Sequence, residues 1–221
     1  MSTPSPYDLV KEKDDPEAYQ TLTRAYLEWV HDPECDKKYT KMVQVGNEQR
    51  RVTFMRDDSI GDPRKPDEED NVQEISTTEG TDIFFPVYYF HSSIGESDCK
   101  TTQDCMKAAK DDLSKIKTDK NGKQEIYAEI SINGNNKEIT SNFNDYTFTV
   151  SRVGDKPFTI TVNDNRLNRE PDYHLKPGTY EGVVSGTFMY LKNLKKGEYV
   201  LKFGGEASNF TTHSEYTMHV K

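Results

Sequence analysis

The chain lacks any run of eighteen or more apolar residues, so no segment reads as a bilayer-spanning helix. It also lacks a basic, then apolar, leader: the first residues are Met-Ser-Thr-Pro-Ser-Pro-Tyr-Asp. As written, that start argues for a cytoplasmic location, with a secreted or cell-surface one as the alternative if a signal peptide was removed. Cysteine is scarce: Cys35, Cys99 and Cys105 are an odd count and too few for a disulfide framework. Three reduced thiols fit this count, and so does a Cys99–Cys105 bridge around a short loop that leaves Cys35 over. A metal site or a nucleophile is a third reading. The five histidines (His31, His91, His174, His213 and His219) show neither His-x-His nor His-x-x-x-His spacing. His213 and His219 share a strand face but stand roughly 20 Å apart by strand rise, too far to grip one ion together. Convergence of His91, Glu96 and a distant histidine across strands stays open. No Gly-x-Ser-x-Gly elbow, Walker loop or dinucleotide fingerprint occurs, which argues against phosphoryl transfer and Rossmann chemistry. The acids between Asp57 and Asp70 match no EF-hand register, so no metal or cofactor is expected.

Positive charge is also in deficit. Twenty-nine Lys and Arg against 38 Asp and Glu leave a net charge of −9. Such a field repels nucleic acid and anionic membrane surfaces. Lys192, Lys195, Lys196 and Lys202 cluster in sequence, and a solvated surface is favoured there over a phosphate site. What the chain does have is rings: 13 Tyr and 10 Phe, beside a single Trp, supply much of the area available for burial. A chain of 221 residues can bury roughly 70% of its unfolded surface, so it folds without staples.

Periodicity sets the architecture. Residues 1–13 are polar and punctuated by proline, and read as a flexible arm. A helix near 15–31 follows, with Asp14 or Asp15 as cap, Pro16 in its first turn, and Ala18, Leu22, Ala25, Tyr26, Trp29 and Val30 on one face. Residues 40–56 alternate as two strands about a Gly46-Asn47 turn. Residues 57–80 read as a long exposed loop. Ile83 to Phe90 is a buried strand whose Pro86 demands an edge or a bulge. A second helix near 102–117 starts at a Thr101/Asp104 capping box, and its apolar stripe is Met106, Ala109, Leu113 and Ile116. From Gln124 onward apolar and polar residues alternate, with Asn133-Gly134 as a hairpin turn and strands at Val183–Leu191, Tyr199–Phe203 and Tyr216–Val220. The fold expected is mainly β: an antiparallel β-sandwich, jelly-roll or Greek-key like, with an N-terminal helix and one inserted helix, forming a single domain over 14–221.

Certain positions also resemble a family of uncharacterised bacterial and archaeal proteins. They are Glu28-Trp29, Phe84-Phe85-Pro86-Val87, Glu96, Asn133-Gly134, and the hairpin Leu191, Leu194, Gly197, Tyr199, Leu201, Phe203, Gly204 and Gly205. The resemblance runs from about residue 17 onward. Tyr199 stands where that pattern has His, and the Gln49–Phe54 stretch departs from it. The family carries no established activity, so the resemblance implies the fold and points to Glu96. Candidate ligand-binding residues are Glu96, His91 and Tyr88, in and before the 91–100 loop.

Two functions fit. One is a non-enzymatic binding module for a protein or a carbohydrate, using exposed loops (57–80, 91–100, 163–179) or a Tyr-lined sheet face. The other is a hydrolase or metal-dependent enzyme whose site is assembled from loops. Tyr88, Tyr89, Tyr127, Tyr146, Tyr180, Tyr190 and Tyr216 could form the sugar face, although core-rim positions with wet hydroxyls are favoured for them. The sequon Asn209-Phe210-Thr211 matters only in an exported chain.

Overall fold

A computed structural model describes residues 5–32, 34–35, 37–56, 59–60 (backbone only), 73–96, 99–118, 125–164, 167, 175–207 and 211–221. Along the chain run β1 (Asp8–Val10), α1 (Pro16–Val30), β2 (Thr40–Val45), β3 (Glu48–Phe54), β4 (Ser59–Ile60), β5 (Gln73–Thr77) and β6 (Asp82–Ser93). Then come α2 (Thr102–Leu113), β7 (Ile126–Ile132), β8 (Asn135–Glu138), β9 (Thr147–Val150), β10 (Arg152–Val153), β11 (Lys156–Pro157), β12 (Thr159–Val162), β13 (Gly178–Lys192), β14 (Gly197–Glu206) and β15 (Thr211–Val220). The protein is mainly β, with two α-helices among these elements.

The larger sheet has the order β1-β13-β6-β3-β2, with β9 and β12 also on β13, and the second has β4-β15-β14-β7-β8, with β5 on β15. One hydrophobic core joins them. Phe85 of β6 meets Phe203 of β14 with ring centroids 4.4 Å apart. The opposite face of the larger sheet is covered by α1. Asp15 caps this helix by accepting from the Ala18 N–H, and Pro16 sets its first turn. Its buried stripe packs Tyr19, Tyr26 and Trp29 edge-on or stacked against Phe54, Phe84, Phe148 and Phe188.

Four expectations need correction. The sheets are not wholly antiparallel: β3 runs parallel to β6, and β5 parallel to β15. After β3 the chain crosses to the second sheet for β4 and β5, then returns, and the return lays β6 alongside β3 in the same direction. The N-terminal arm is not loose from Ser5 onward. Asp8–Val10 pairs with Tyr190–Lys192, Tyr7 is buried, and Lys11 bridges to Asp145 at 2.8 Å. That lysine holds the Asp145 carboxyl below its ordinary range, through the hydrogen bond and its charge. The second helix stops at Leu113 rather than 117, and Ile116 instead bridges to Ala207. Within the expected 57–80 loop, Ser59–Ile60 and Gln73–Thr77 are strands, while residues 57–58 and 61–72 lie outside those described.

Pro86 is accommodated by a bulge, as its missing N–H requires. The register against β13 slips between Thr187 and Phe188, so that Phe188 faces Pro86. On the other flank β3 pairs only with Asp82, Ile83 and Phe84, and ends before the proline.

Where β6 begins, Asp82 is fully buried. Its carboxylate accepts from Arg50 Nε at 2.8 Å and Nη2 at 2.6 Å, from the Tyr190 hydroxyl at 2.8 Å and from the Asn193 N–H at 3.0 Å. Arg50 also donates to Asn193 Oδ1 at 2.8 Å. The hydrogen bond and charge of Asp82 raise the guanidinium further above its ordinary value. Deleting the buried carboxylate leaves the Arg50 fork, the Tyr190 hydroxyl and the Asn193 N–H without their shared acceptor. Asp82→Ala is therefore expected to destabilise the fold by about 3–5 kcal/mol in urea unfolding. Lys202→Ala, which breaks the half-exposed Lys202–Glu215 bridge (2.8 Å), should cost under about 1 kcal/mol.

Candidate functional site

The three candidate binding residues occupy the far end of β6 and the loop beyond it, but the structure does not gather them into one site. Strand residues alternate between faces. Tyr89 and His91 point to the α1 side, where Tyr89 meets Tyr26 (5.7 Å) and His91 lies near Tyr89 (6.0 Å) and His31 (6.5 Å), all between ring centroids. Tyr88 points the other way, beside Phe90 at 5.2 Å, and is only 1% exposed. Tyr88 and His91 therefore cannot address one ligand from the same side of the sheet.

Glu96 belongs to a tight loop. Its Oε1 accepts from the Ser93 N–H at 2.8 Å, the Gly95 N–H donates to Cys99 O at 2.9 Å, and the Cys99 N–H donates to Glu96 O at 3.2 Å. Gly95 has φ +111°, a backbone conformation open to glycine, and a Cβ there would press on Leu175. The carboxylate thus ties down its own loop. Cys99, three residues on, forms a disulfide with Cys105 in the first turns of α2, across a Cα–Cα distance of 4.6 Å. Cys35 is buried and takes no part in this bridge.

The capping box that starts α2 is complete. The Asp104 N–H donates to Thr101 Oγ1 at 3.2 Å, and the Thr101 N–H to Asp104 Oδ2 at 3.0 Å. The helix lies on β13 and β6 through a small cluster of its own: Cys99, Cys105, Ala109 and Val183, with Ile94 and Met106 partly buried against it. Sequence periodicity put Met106 first in an apolar stripe with Ala109, Leu113 and Ile116. Ala109 is buried as that stripe requires and Met106 is partly buried beside it, while Cys105, outside the stripe, is buried through the disulfide. Met106 also lines a surface depression of about 340 Å³ with Gln103, Lys107, Lys110 and Asp111. Lys107 and Lys110 are exposed and make no ion pair among the described residues. Sequence reasoning missed this surface. The signal that could have found it was Cys105, which sets the rotation of the helix if bridged.

The tyrosines expected at a wet rim are mostly core. Tyr88, Tyr190 and Tyr216 are buried to within 1% and Tyr146 to within 3%. Several buried hydroxyls donate inward: Tyr19 to Val10 O (2.7 Å), Tyr199 to Lys195 O (2.7 Å) and Tyr216 to Arg56 O (3.1 Å). A ring in that position offers no face to a sugar. Tyr127 is only half-buried and hydrogen-bonds to His213 Nδ1. His219 stands 4.0 Å from Glu198, and His174 and Asn209 lie outside the described residues. Among the described residues no three His, Cys, Asp or Glu side chains group as metal ligands. No helix among them is long and apolar enough to cross a membrane. No protein-family model, no curated protein and no solved structure matches the chain.

Burial pushes the Tyr19 and Tyr190 hydroxyls far above their ordinary value, and the neighbouring Asp82 carboxylate adds to the effect at Tyr190. A group whose value is higher in the folded state gives its full stabilisation below the unfolded value, about pH 10 for tyrosine. Above that pH the unfolded chain loses these protons first, so stability falls as pH rises. In an alkaline titration followed at 295 nm, the exposed phenols should ionise first. The last fraction should appear only together with loss of the near-ultraviolet circular dichroism. A single unbroken phenol transition with the fold intact would contradict this burial.

Proposed function

We propose that the protein is a non-enzymatic interaction module that receives an acidic protein segment on the outer face of α2. The observation that carries this reading is the surface around Met106. It has an apolar, polarisable centre flanked by Lys107 and Lys110, with Gln103 and Asp111 also lining it, on a chain whose net charge is −9. An apolar anchor site with a charged rim is the anatomy of a protein interface, and methionine suits adaptable contacts. Two lysines against one aspartate give this surface a local positive excess on an acidic molecule, which favours an acidic partner by charge complementarity. The helix that presents it is held by a disulfide and a capping box, so little order has to be bought on binding. A carbohydrate ligand has less behind it, because the tyrosines that would stack on sugars are mostly turned inward. The enzymatic alternative, a hydrolase or metal-dependent site built from loops, has less behind it too. Glu96 is engaged by the Ser93 N–H, and His91 stacks on Tyr89.

The same reading takes the two sheets as a β-sandwich wound in jelly-roll or Greek-key fashion. The Phe85–Phe203 contact and the crossing of β4 and β5 between β3 and β6 support it. The resemblance carried by the Leu191–Gly205 hairpin adds architecture to this proposal and no activity.

The test is a titration of isotopically labelled protein with a twelve-residue peptide of Asp and Glu around one leucine, followed by amide chemical shifts. Shifts should centre on Gln103–Asp111. Lys107→Glu with Lys110→Glu should weaken binding at least about tenfold, and raising the salt from 0.05 to about 0.5 M should do the same. Shifts centred on His91 and Glu96, or produced equally by a neutral oligosaccharide, would overturn the assignment.

A further inference from the structure

We infer that the Cys99–Cys105 disulfide is a redox latch on the α2 platform: oxidised, it holds the helix and the 94–99 loop on the sheet, and reduced, it lets them open while the rest of the fold stays closed. This regulation rests on the proposed docking role of α2, but its physical basis stands apart. The buried residues under α2 form a cluster separate from the main core. Two of that cluster's four buried members are the bridged cysteines themselves, and a third, Ala109, is small. Apart from the bridge and Ala109, the helix is held only by the partly buried Met106 and, at its last residue, by the partly buried Leu113 against the main core. By contrast α1, on the other face of the larger sheet, is anchored in the main core by Tyr19, Leu22, Tyr26 and Trp29. Elements held by few buried contacts open locally at lower cost than the global fold. A bond across a short loop restricts the open form, so its loss shifts the balance toward opening.

The chemistry is thiol–disulfide exchange with a dithiol reductant. One thiolate of the reductant attacks a cysteine sulfur, forming a mixed disulfide and releasing the other cysteine as a thiolate. The second thiol of the reductant then displaces the first cysteine. The reductant leaves as its own disulfide, and two electrons and two protons end on Cys99 and Cys105. Both cysteines are fully buried, so attack must follow an opening of the segment. In an oxidising compartment the platform is set, and in a reducing one it is released.

Hydrogen exchange read by mass spectrometry tests this on the full chain in three forms: oxidised, reduced with excess dithiothreitol, and Cys99→Ser/Cys105→Ser. Thiol counts in denaturant should be one for the oxidised form, from Cys35, and three after reduction. Peptides spanning 94–114 should exchange at least about tenfold faster in the reduced and double-variant proteins. Peptides of β13 and β14 should be unchanged. Equal protection of 94–114 in all three forms would overturn the latch. So would acceleration throughout the core, which would make the bond a staple of the whole fold, and so would three free thiols in air-oxidised protein. No partner enters this measurement. A latch that responds while the acidic peptide fails to bind would remove the docking role and leave the redox coupling standing.

Discussion

Everything in the larger sheet depends on one buried charge. Asp82 sits at the start of the strand that touches both layers, fully removed from solvent, with four donors converging on it. A carboxylate in that position is tolerable only when every lone pair is engaged. The donors come from β3, from β13 and from the turn after it, so the network is satisfied only when the parallel β3–β6 pair and the β13–β14 connection are both in register. Arginine rather than lysine is needed, because the planar fork delivers two parallel hydrogen bonds and leaves a third for Asn193. Asn193 adopts the left-handed conformation, φ 57°, and its side chain reaches on to Asp8 in the edge strand β1. Hydrophobic burial supplies the driving force, but it is non-directional. This polar knot selects one register from those the greasy residues would accept.

The two faces of β6 then divide the work. On the α1 side the packing is aromatic and dense, with rings from helix and sheet meeting edge to face. On the other side Phe85 joins the second sheet near the start of the strand, while farther along α2 rests on a much smaller cluster. The Pro86 bulge lies between these regions. The part of the molecule carrying Glu96, the disulfide and α2 thus has only a small buried apolar cluster beneath it. Mobile and ligand-facing elements are generally drawn from such places.

Much of this could be read in the chain. The first helix was legible from Asp15, Pro16 and the spacing of Leu22, Tyr26 and Trp29, because local capping and periodicity agree there. The Gly46-Asn47 and Asn133-Gly134 turns were legible for the same reason. The parallel pairings were not, since nothing in Glu48–Phe54 says that its neighbour arrives from the other sheet. Strand β5, Gln-Glu-Ile-Ser-Thr, has one apolar residue and hides in a polar stretch. The tyrosines misled, because a phenol can be buried once its hydroxyl finds a distant acceptor, and those acceptors are tertiary. Among the candidate residues, the position of Glu96 in a loop was legible, but its bond to Ser93 was not. The helical period placed Met106 and Ala109 on the apolar face of α2, but it gave no sign that Cys105 would be buried beside them by a covalent bond.

The sole tryptophan lies in a telling place. Trp29 is buried where the end of α1 meets the larger sheet, stacked on Phe54 at 5.7 Å, and its Nε1 donates to Lys38 O at 2.8 Å. The protein's tryptophan fluorescence is consequently that of one shielded indole. A red shift of its emission records the moment this helix leaves the sheet, with no second indole to confuse the signal, while events at α2 pass unseen by that light.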